Sequence, residues 1–190
     1  MQKVLLLEEA SDEPSLRNTL TGLGYDVVAQ PGHARALRTE VERAAPDVII
    51  VRTQTPGEDT LESLAAISAL HPRPIVLFAT AGDRDLIRRA VDCGVAAYVV
   101  DGWASERLAA IIDAATARFE LYQATRKELA SARAKLAERK LVEKAKGIVM
   151  EQRKLSEDQA YNALRRMAMD QNLALAEVAR RVIAVAELLT

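Results

Sequence analysis

Five short apolar runs punctuate the first hundred residues: Val4–Leu7, Val27–Ala29, Val48–Val51, Ile75–Phe78 and Ala97–Val100. Between them the apolar positions change to helical spacing, in Leu16, Leu20 and Leu23, in the stretch Ala34–Ala44, in Leu61, Leu64, Ile67 and Leu70, and in Asp83–Cys93. Helix punctuation falls where it should: Pro14 near a start, Gly22 and Gly24 at an end, and Pro46, His71-Pro72 and Gly94 at further stops. Val48–Val51 is apolar at every position, the pattern of a strand covered on both faces. Strands alternating with helices predict right-handed crossovers and a parallel sheet. Five of them in about 115 residues predict an α/β doubly wound sheet of order 2-1-3-4-5. Ligands of such sheets lie beyond the carboxyl ends of the strands, here Glu8-Glu9, Arg52-Thr53, Ala79-Thr80 and Asp101.

The pattern changes at Ala104. From there to about Gln152 there is no proline and one glycine, Gly147, which predicts a long helix. Leu108, Ala115, Tyr122, Leu129 and Leu136 recur every seven residues, with Ile112 and Phe119 between them. After Arg126 the intervening seam positions are basic, Arg133 and Lys140 among them. The seam predicts a helical connector over 104–140 with a short coiled coil, in which Leu108, Ile112, Phe119, Tyr122, Leu129 and Leu136 pair two chains into a homodimer. The alternative is the last helix of the sheet domain followed by a solvated spacer.

The last fifty residues read as three short amphipathic helices. Leu141, Ala145, Ile148 and Val149 mark the first, and Gln152-Arg153-Lys154-Leu155 breaks it. Ser156 with Gln159 three residues on is a capping box that starts the second, whose apolar face is Ala160, Ala163, Leu164 and Met167. Asp170-Gln171-Asn172 is the next break, and Leu175, Val178, Val182, Val185 and Leu189 mark the third helix. The predicted organisation is therefore a sheet domain over 1–120, a connector over 104–140 and a three-helix domain over 135–190.

Charge sharpens this division. The 190 residues carry a net charge of −1, which hides a net −6 over residues 1–125 and a net +5 over residues 126–190. A basic helical end points to a polyanion. The single cysteine, Cys93, excludes an intrachain disulfide, and His33 and His71 stand apart from it and from each other, so no metal spacing appears. The N-terminus is neither a secretory leader nor a span, and no apolar run approaches membrane length, so a cytoplasmic protein without membrane contact is expected. No nucleophile–base set, metal cluster or glycine-rich phosphate loop appears, so neither catalysis nor a cofactor is expected. Trp103 serves either the start of the long helix or a partner.

The five-strand pattern with acids after the first strand resembles the receiver domain of two-component response regulators over about 1–120. In that family two acids bind Mg²⁺, an aspartate after strand three takes the phosphoryl group, a Thr or Ser ends strand four and a Lys ends strand five. Glu8 and Glu9 match the acid pair in kind. Arg52 stands at the phosphoacceptor, in VIIVRTQTP, and cannot take a phosphoryl group as a carboxylate does. Ala79 stands at the hydroxyl position with Thr80 beside it, and Asp101 replaces the lysine. The resemblance, with these departures, implies a pseudo-receiver that is never phosphorylated, in which Arg52 pairs with Glu8, Glu9 or Asp101.

The segments AKGIVM (Ala145–Met150), SEDQAYNALRRMAM (Ser156–Met169) and EVAR (Glu177–Arg180) resemble the ANTAR module, named for the AmiR and NasT antiterminators. Pseudo-receiver and module together resemble the NasT-type nitrate/nitrite-responsive regulators. That resemblance implies binding to paired hairpins in leader mRNA, prevention of termination, and control by a nitrate- or nitrite-sensing protein that sequesters the regulator. The residues point the same way. Lys144 and Lys146 flank Ala145 on the first helix of the module, Arg153 and Lys154 sit in the following turn, and Arg165 lies one helical turn after Tyr161, with Arg166 adjacent. An aromatic beside cations offers a plane for an unstacked base and charge for phosphates. The alternatives are a core residue for Tyr161 and a solvated face for Arg165-Arg166. Two other functions compete: a DNA-binding response regulator, for which AEVARRVIAVAELL is too apolar a recognition helix, and a phosphorylation-independent scaffold or adaptor.

Overall fold

A computed structural model describes residues 1–8, 16–100 and 105–188. Pro14, Glu9, Asp101, Trp103 and Leu189 lie outside the described residues. The elements, in chain order, are β1 (Lys3–Glu8), α1 (Leu16–Gly22), β2 (Asp26–Ala29), a 3₁₀ turn (Ala34–Ala36), α2 (Leu37–Ala44), β3 (Val48–Thr53), α3 (Glu58–Leu70), β4 (Ile75–Ala79), α4 (Arg84–Asp92), β5 (Ala97–Val100), α5 (Ser105–Arg153), α6 (Glu157–Asp170) and α7 (Leu175–Leu188). They form two compact units, Met1–Gln123 and Ala124–Thr190.

In the first unit the five strands pair in parallel in the order β2-β1-β3-β4-β5. This is the doubly wound sheet that the pattern predicts. Because side chains alternate along a strand, each strand serves two cores. Leu5, Leu7, Ile49, Val51, Ile75 and Leu77 pack under α2, α3 and α4. Val4, Leu6, Ile50, Val76 and Phe78 pack under α1 and the start of α5. Glycines at positive φ, Gly24 and Gly94, end α1 and α4, and the following Tyr25 and Val95 amides donate back to Leu20 and Ala90. A side chain at Gly94 would also collide with Ser68.

Two expectations fail here. Leu108 and Ile112 are fully buried against the sheet, with Ala115 beside them. They fill the receiver core and cannot form a seam between chains. The apolar spacing was real, but it marked the face that α5 lays on β1, β3 and β4. Leu23 and Leu70 are exposed, because each falls at the end of its helix, beyond the edge of the core.

The second unit has a small core in which Ala145 and Val149 of α5, Ala160, Leu164 and Ala168 of α6, and Val178, Ala179 and Ile183 of α7 meet. The capping box is formed: Gln159 N donates to Ser156 Oγ at 3.3 Å and Ser156 N to Gln159 Oε1 at 2.9 Å. Val185 is exposed, not a core residue as expected; α7 turns Ile183 inward in its place.

Candidate nucleic-acid interface

At the carboxyl edge of the sheet, β1 and β3 are in register so that Glu8 lies beside Arg52. Arg52 Nη1 donates to Glu8 Oε1 at 2.8 Å, and both side chains are about nine-tenths buried. The same oxygen accepts from the backbone N–H of Leu16 at the start of α1, 3.0 Å away. A guanidinium thus occupies the place where a receiver carries its phosphoacceptor carboxylate. The described residues do not fit a divalent cation: Arg52 already neutralises Glu8, and the carboxylate that would complete the ligand set is gone. No group of three or more His, Cys, Asp or Glu side chains able to hold a metal occurs among the described residues. Thr80 contributes no pocket hydroxyl. Its Oγ1 and its amide both donate to the Gln54 carbonyl, at 3.0 and 3.2 Å, tying the loops after β3 and β4 together. Tyr98 completes the tie by donating to the Ala81 carbonyl at 3.0 Å, its ring over Gly82. Burial, with Asp83 nearby, holds its phenol above the usual range.

In the second unit, α6 turns the row Ala160, Leu164 and Ala168 inward and leaves the opposite rows in solvent. Tyr161 is 42 % exposed, and Arg165, one turn on, is exposed beside it. Asn162 and Arg166 form an adjacent exposed row. Met169 prolongs the Tyr161–Arg165 row and is also exposed. Sequence reasoning missed Asn162 and Met169; the i, i+4 spacing from Arg166 and Arg165 was the available signal. Arg153 ends α5, and Lys154 follows in the left-handed region with φ 54°. There the Leu155 amide donates to the Met150 carbonyl at 3.2 Å and the Leu155 side chain enters the small core, a Schellman stop with lysine in the glycine position.

The cations of the three-helix part, from Lys144 onward, divide into two sets. Lys144 Nζ is 2.7 Å from Glu187 Oε1, and Arg180 and Arg181 pair with Glu177. Lys146 is only 9 % exposed and bridges Glu143 at 2.6 Å and Glu157 at 2.7 Å. These contacts correct the expectation for Lys146: its stem is covered and its ammonium is already engaged by two surface carboxylates, so it is not presented free to a ligand. Arg153, Lys154, Arg165 and Arg166 are exposed and join no ion pair among the described residues. Tyr161 and these four cations are the part of the expected site that remains presented to solvent together with Lys144.

The receiver domain of response regulators matches residues 9–113, and the ANTAR domain matches residues 130–183. Transcriptional regulatory protein PdtaR of Mycobacterium tuberculosis is 31 % identical over 183 residues, 96 % of this chain and 89 % of that protein. The chain belongs to the receiver–ANTAR response regulators. Such a regulator acts on transcription by antitermination. The nitrate regulatory protein of Klebsiella oxytoca is a further relative of the receiver–ANTAR chain, 48 % identical over 58 residues, 30 % of this chain and 15 % of that protein. The receiver half also superposes on the signal receiver domain of a modulated diguanylate cyclase from Desulfovibrio desulfuricans G20, with a TM-score of 0.56 at 24 % identity over 64 % of this chain and 98 % of that one. That likeness concerns the fold alone.

Proposed function

We propose that this receiver–ANTAR regulator binds paired hairpins in a leader mRNA and stabilises them against a competing terminator, without phosphorylation of its receiver. The observation that carries the reading is the exposed Tyr161 with Arg165 one turn away and Arg166 adjacent, together with Arg153 and Lys154 exposed at the end of α5, all four cations without an ion pair among the described residues. Unstacked loop bases need a π-face and phosphates need cations. Antitermination then follows from differential affinity: only tighter binding to the hairpin fold than to the terminator fold shifts the outcome. Lys144, exposed but engaged by Glu187, is an auxiliary contact that must first release its partner.

The proposed division of labour places the pseudo-receiver at 1–120, the connector at 104–140 and the RNA-binding module at 135–190. Tyr122, Leu129 and Leu136 are 63 %, 49 % and 54 % exposed at seven-residue spacing, and with Phe119 they form the seam of an active homodimer. Two modules on one dimer match two hairpins on one transcript, since the second contact gains from effective concentration. Nitrate or nitrite assimilation is the proposed regulon, supported by the similarity to the nitrate regulatory protein. A nitrate-sensing protein that sequesters the chain until ligand arrives would supply the control that Arg52 denies to phosphorylation. The proposed site of action is the cytoplasm; no helix among the described residues is long and apolar enough to cross a membrane.

Crosslinking in cells, followed by sequencing of the bound RNA, tests the reading. Enrichment of leader transcripts with two hairpins is expected; recovery of DNA or of no nucleic acid refutes it. Incubation with labelled acetyl phosphate should leave the chain unlabelled. A pull-down with the nitrate-sensing partner should lose the complex only when nitrate is added.

A further inference from the structure

Among the described residues of the C-terminal unit, Lys146 is the one ammonium that two carboxylates engage. Glu143 lies one turn before it on α5, and Glu157 is the first residue of α6, directly after the Ser156 cap. The lysine therefore joins the two helices across the Arg153–Leu155 elbow. Apolar contact between α5 and α6 is made by a small core that includes Val149, Leu155 and Leu164. The α5 and α6 residues most deeply buried in it are Ala145, Ala160 and Leu164, two of them alanines. Small side chains permit close approach but specify direction poorly. The Lys146 bridge has the opposite character: its lysine stem is covered and its two carboxylates lie at the surface, so its net gain in stability is small, but it ties one point of α6 to α5 in a defined arrangement.

We propose that Lys146 is a positioning residue for RNA recognition: it touches no nucleic acid, and by holding Glu157 it sets α6 so that Tyr161 and Arg165 are presented beside Arg153 and Lys154. This inference rests on the RNA-binding reading of the module. Tyr161 is one turn after Glu157 on the same helix, so any swing of the first turn of α6 carries the stacking plane with it. Lys154 stands in the elbow itself and is exposed, so the two lysines, eight residues apart, have different tasks: one is presented to solvent and the other is engaged by Glu143 and Glu157.

The test uses the full chain and the two-hairpin leader RNA recovered by crosslinking, with affinity measured across a salt series. A lysine that contacts phosphate contributes about one to the slope of log affinity against log salt. Lys154→Ala should lower that slope by about one. Lys146→Met should weaken binding roughly tenfold, in the range of coupling energies between residues in one network, and leave the slope unchanged. Lys146→Arg, which keeps the bridge, should restore most of the affinity. Glu157→Gln gives a reading even where Lys146→Met fails to fold. Removing an acid near a bound polyanion would, by charge alone, tighten binding; loss of the bridge should weaken it. A reduced slope in Lys146→Met, unchanged affinity in a folded Lys146→Met, or tighter binding by Glu157→Gln overturns the positioning role. Wild type that binds no RNA overturns the proposed function itself, and this inference with it.

Discussion

Arg52 and Glu8 face each other across β3 and β1 at 2.8 Å, in the buried corner where a receiver carries its phosphorylation chemistry. The pair replaces a site that must open to a phosphodonor with one that is closed by its own charges. It also ties the end of β1 to the start of α1, because the Glu8 oxygen that meets Arg52 accepts the Leu16 amide as well.

Arg52→Ala removes this guanidinium and leaves the Glu8 carboxylate in its buried corner. The expected loss is about 3–5 kcal/mol of stability, the range for breaking one side of a buried pair. Replacing both residues with leucine should recover most of it. Urea denaturation of the three chains measures the difference.

Tyr161→Ala should cost about 1–3 kcal/mol of RNA affinity, the value of one base stack. Tyr161→Phe should keep it, since the ring and not the hydroxyl supplies the plane. Because Tyr161 is largely outside the small core, the melting temperature should move little. Filter binding and thermal denaturation of the same variants separate the two effects.

Lys154 occupies the left-handed position of a helix stop, where glycine avoids a clash of roughly 1–2 kcal/mol for other residues. Lys154→Gly should therefore stabilise the C-terminal unit, by about 1 kcal/mol after the entropy cost of glycine, and weaken RNA binding. Opposite signs in calorimetry and in a binding titration are the expected signature of a residue retained for charge.

The Glu143–Lys146–Glu157 bridge carries a defined pH dependence. Hydrogen bonds to Glu143 first, and then to Glu157, raise the Lys146 ammonium above its ordinary value, and the bond from Lys146 holds Glu157 below the ordinary carboxylate range. A lowered carboxylate stabilises the fold above its unfolded value and loses that contribution as pH falls through the folded one. A raised ammonium stabilises below its unfolded value and loses that contribution as pH rises through the folded one. The difference in melting temperature between wild type and Glu157→Gln should be flat from about pH 5 to about pH 10 and shrink on either side.

Leu129→Glu with Leu136→Glu should yield a monomer by sedimentation without lowering the melting temperature. Both leucines are exposed within the chain, so only a partner chain would miss them. The same double change at Leu108 and Ile112 should unfold the receiver half, since those residues are fully buried beneath the sheet.

Much of the fold was legible along the chain. Apolar runs of four, glycine stops and the Ser156–Gln159 box are local signals, and local signals set strands, helix ends and caps whatever surrounds them. The order of the strands followed as well, because alternating strands and helices leave few ways to wind. The loss of the phosphoacceptor was readable from one residue, Arg52. Tertiary structure alone decided which of two identical spacings served which purpose. Leu108 and Ile112 continue into Tyr122, Leu129 and Leu136 on a single helix, yet the sheet claims the first pair and leaves the later three in solvent. It also separated the cations: Lys146 and Lys154 look alike in sequence, but Glu157, brought back beyond the elbow, joins Glu143 in engaging the first and leaves the second exposed. A periodicity states that a face exists; what covers that face, and which carboxylate meets a given ammonium, depends on residues distant in the chain.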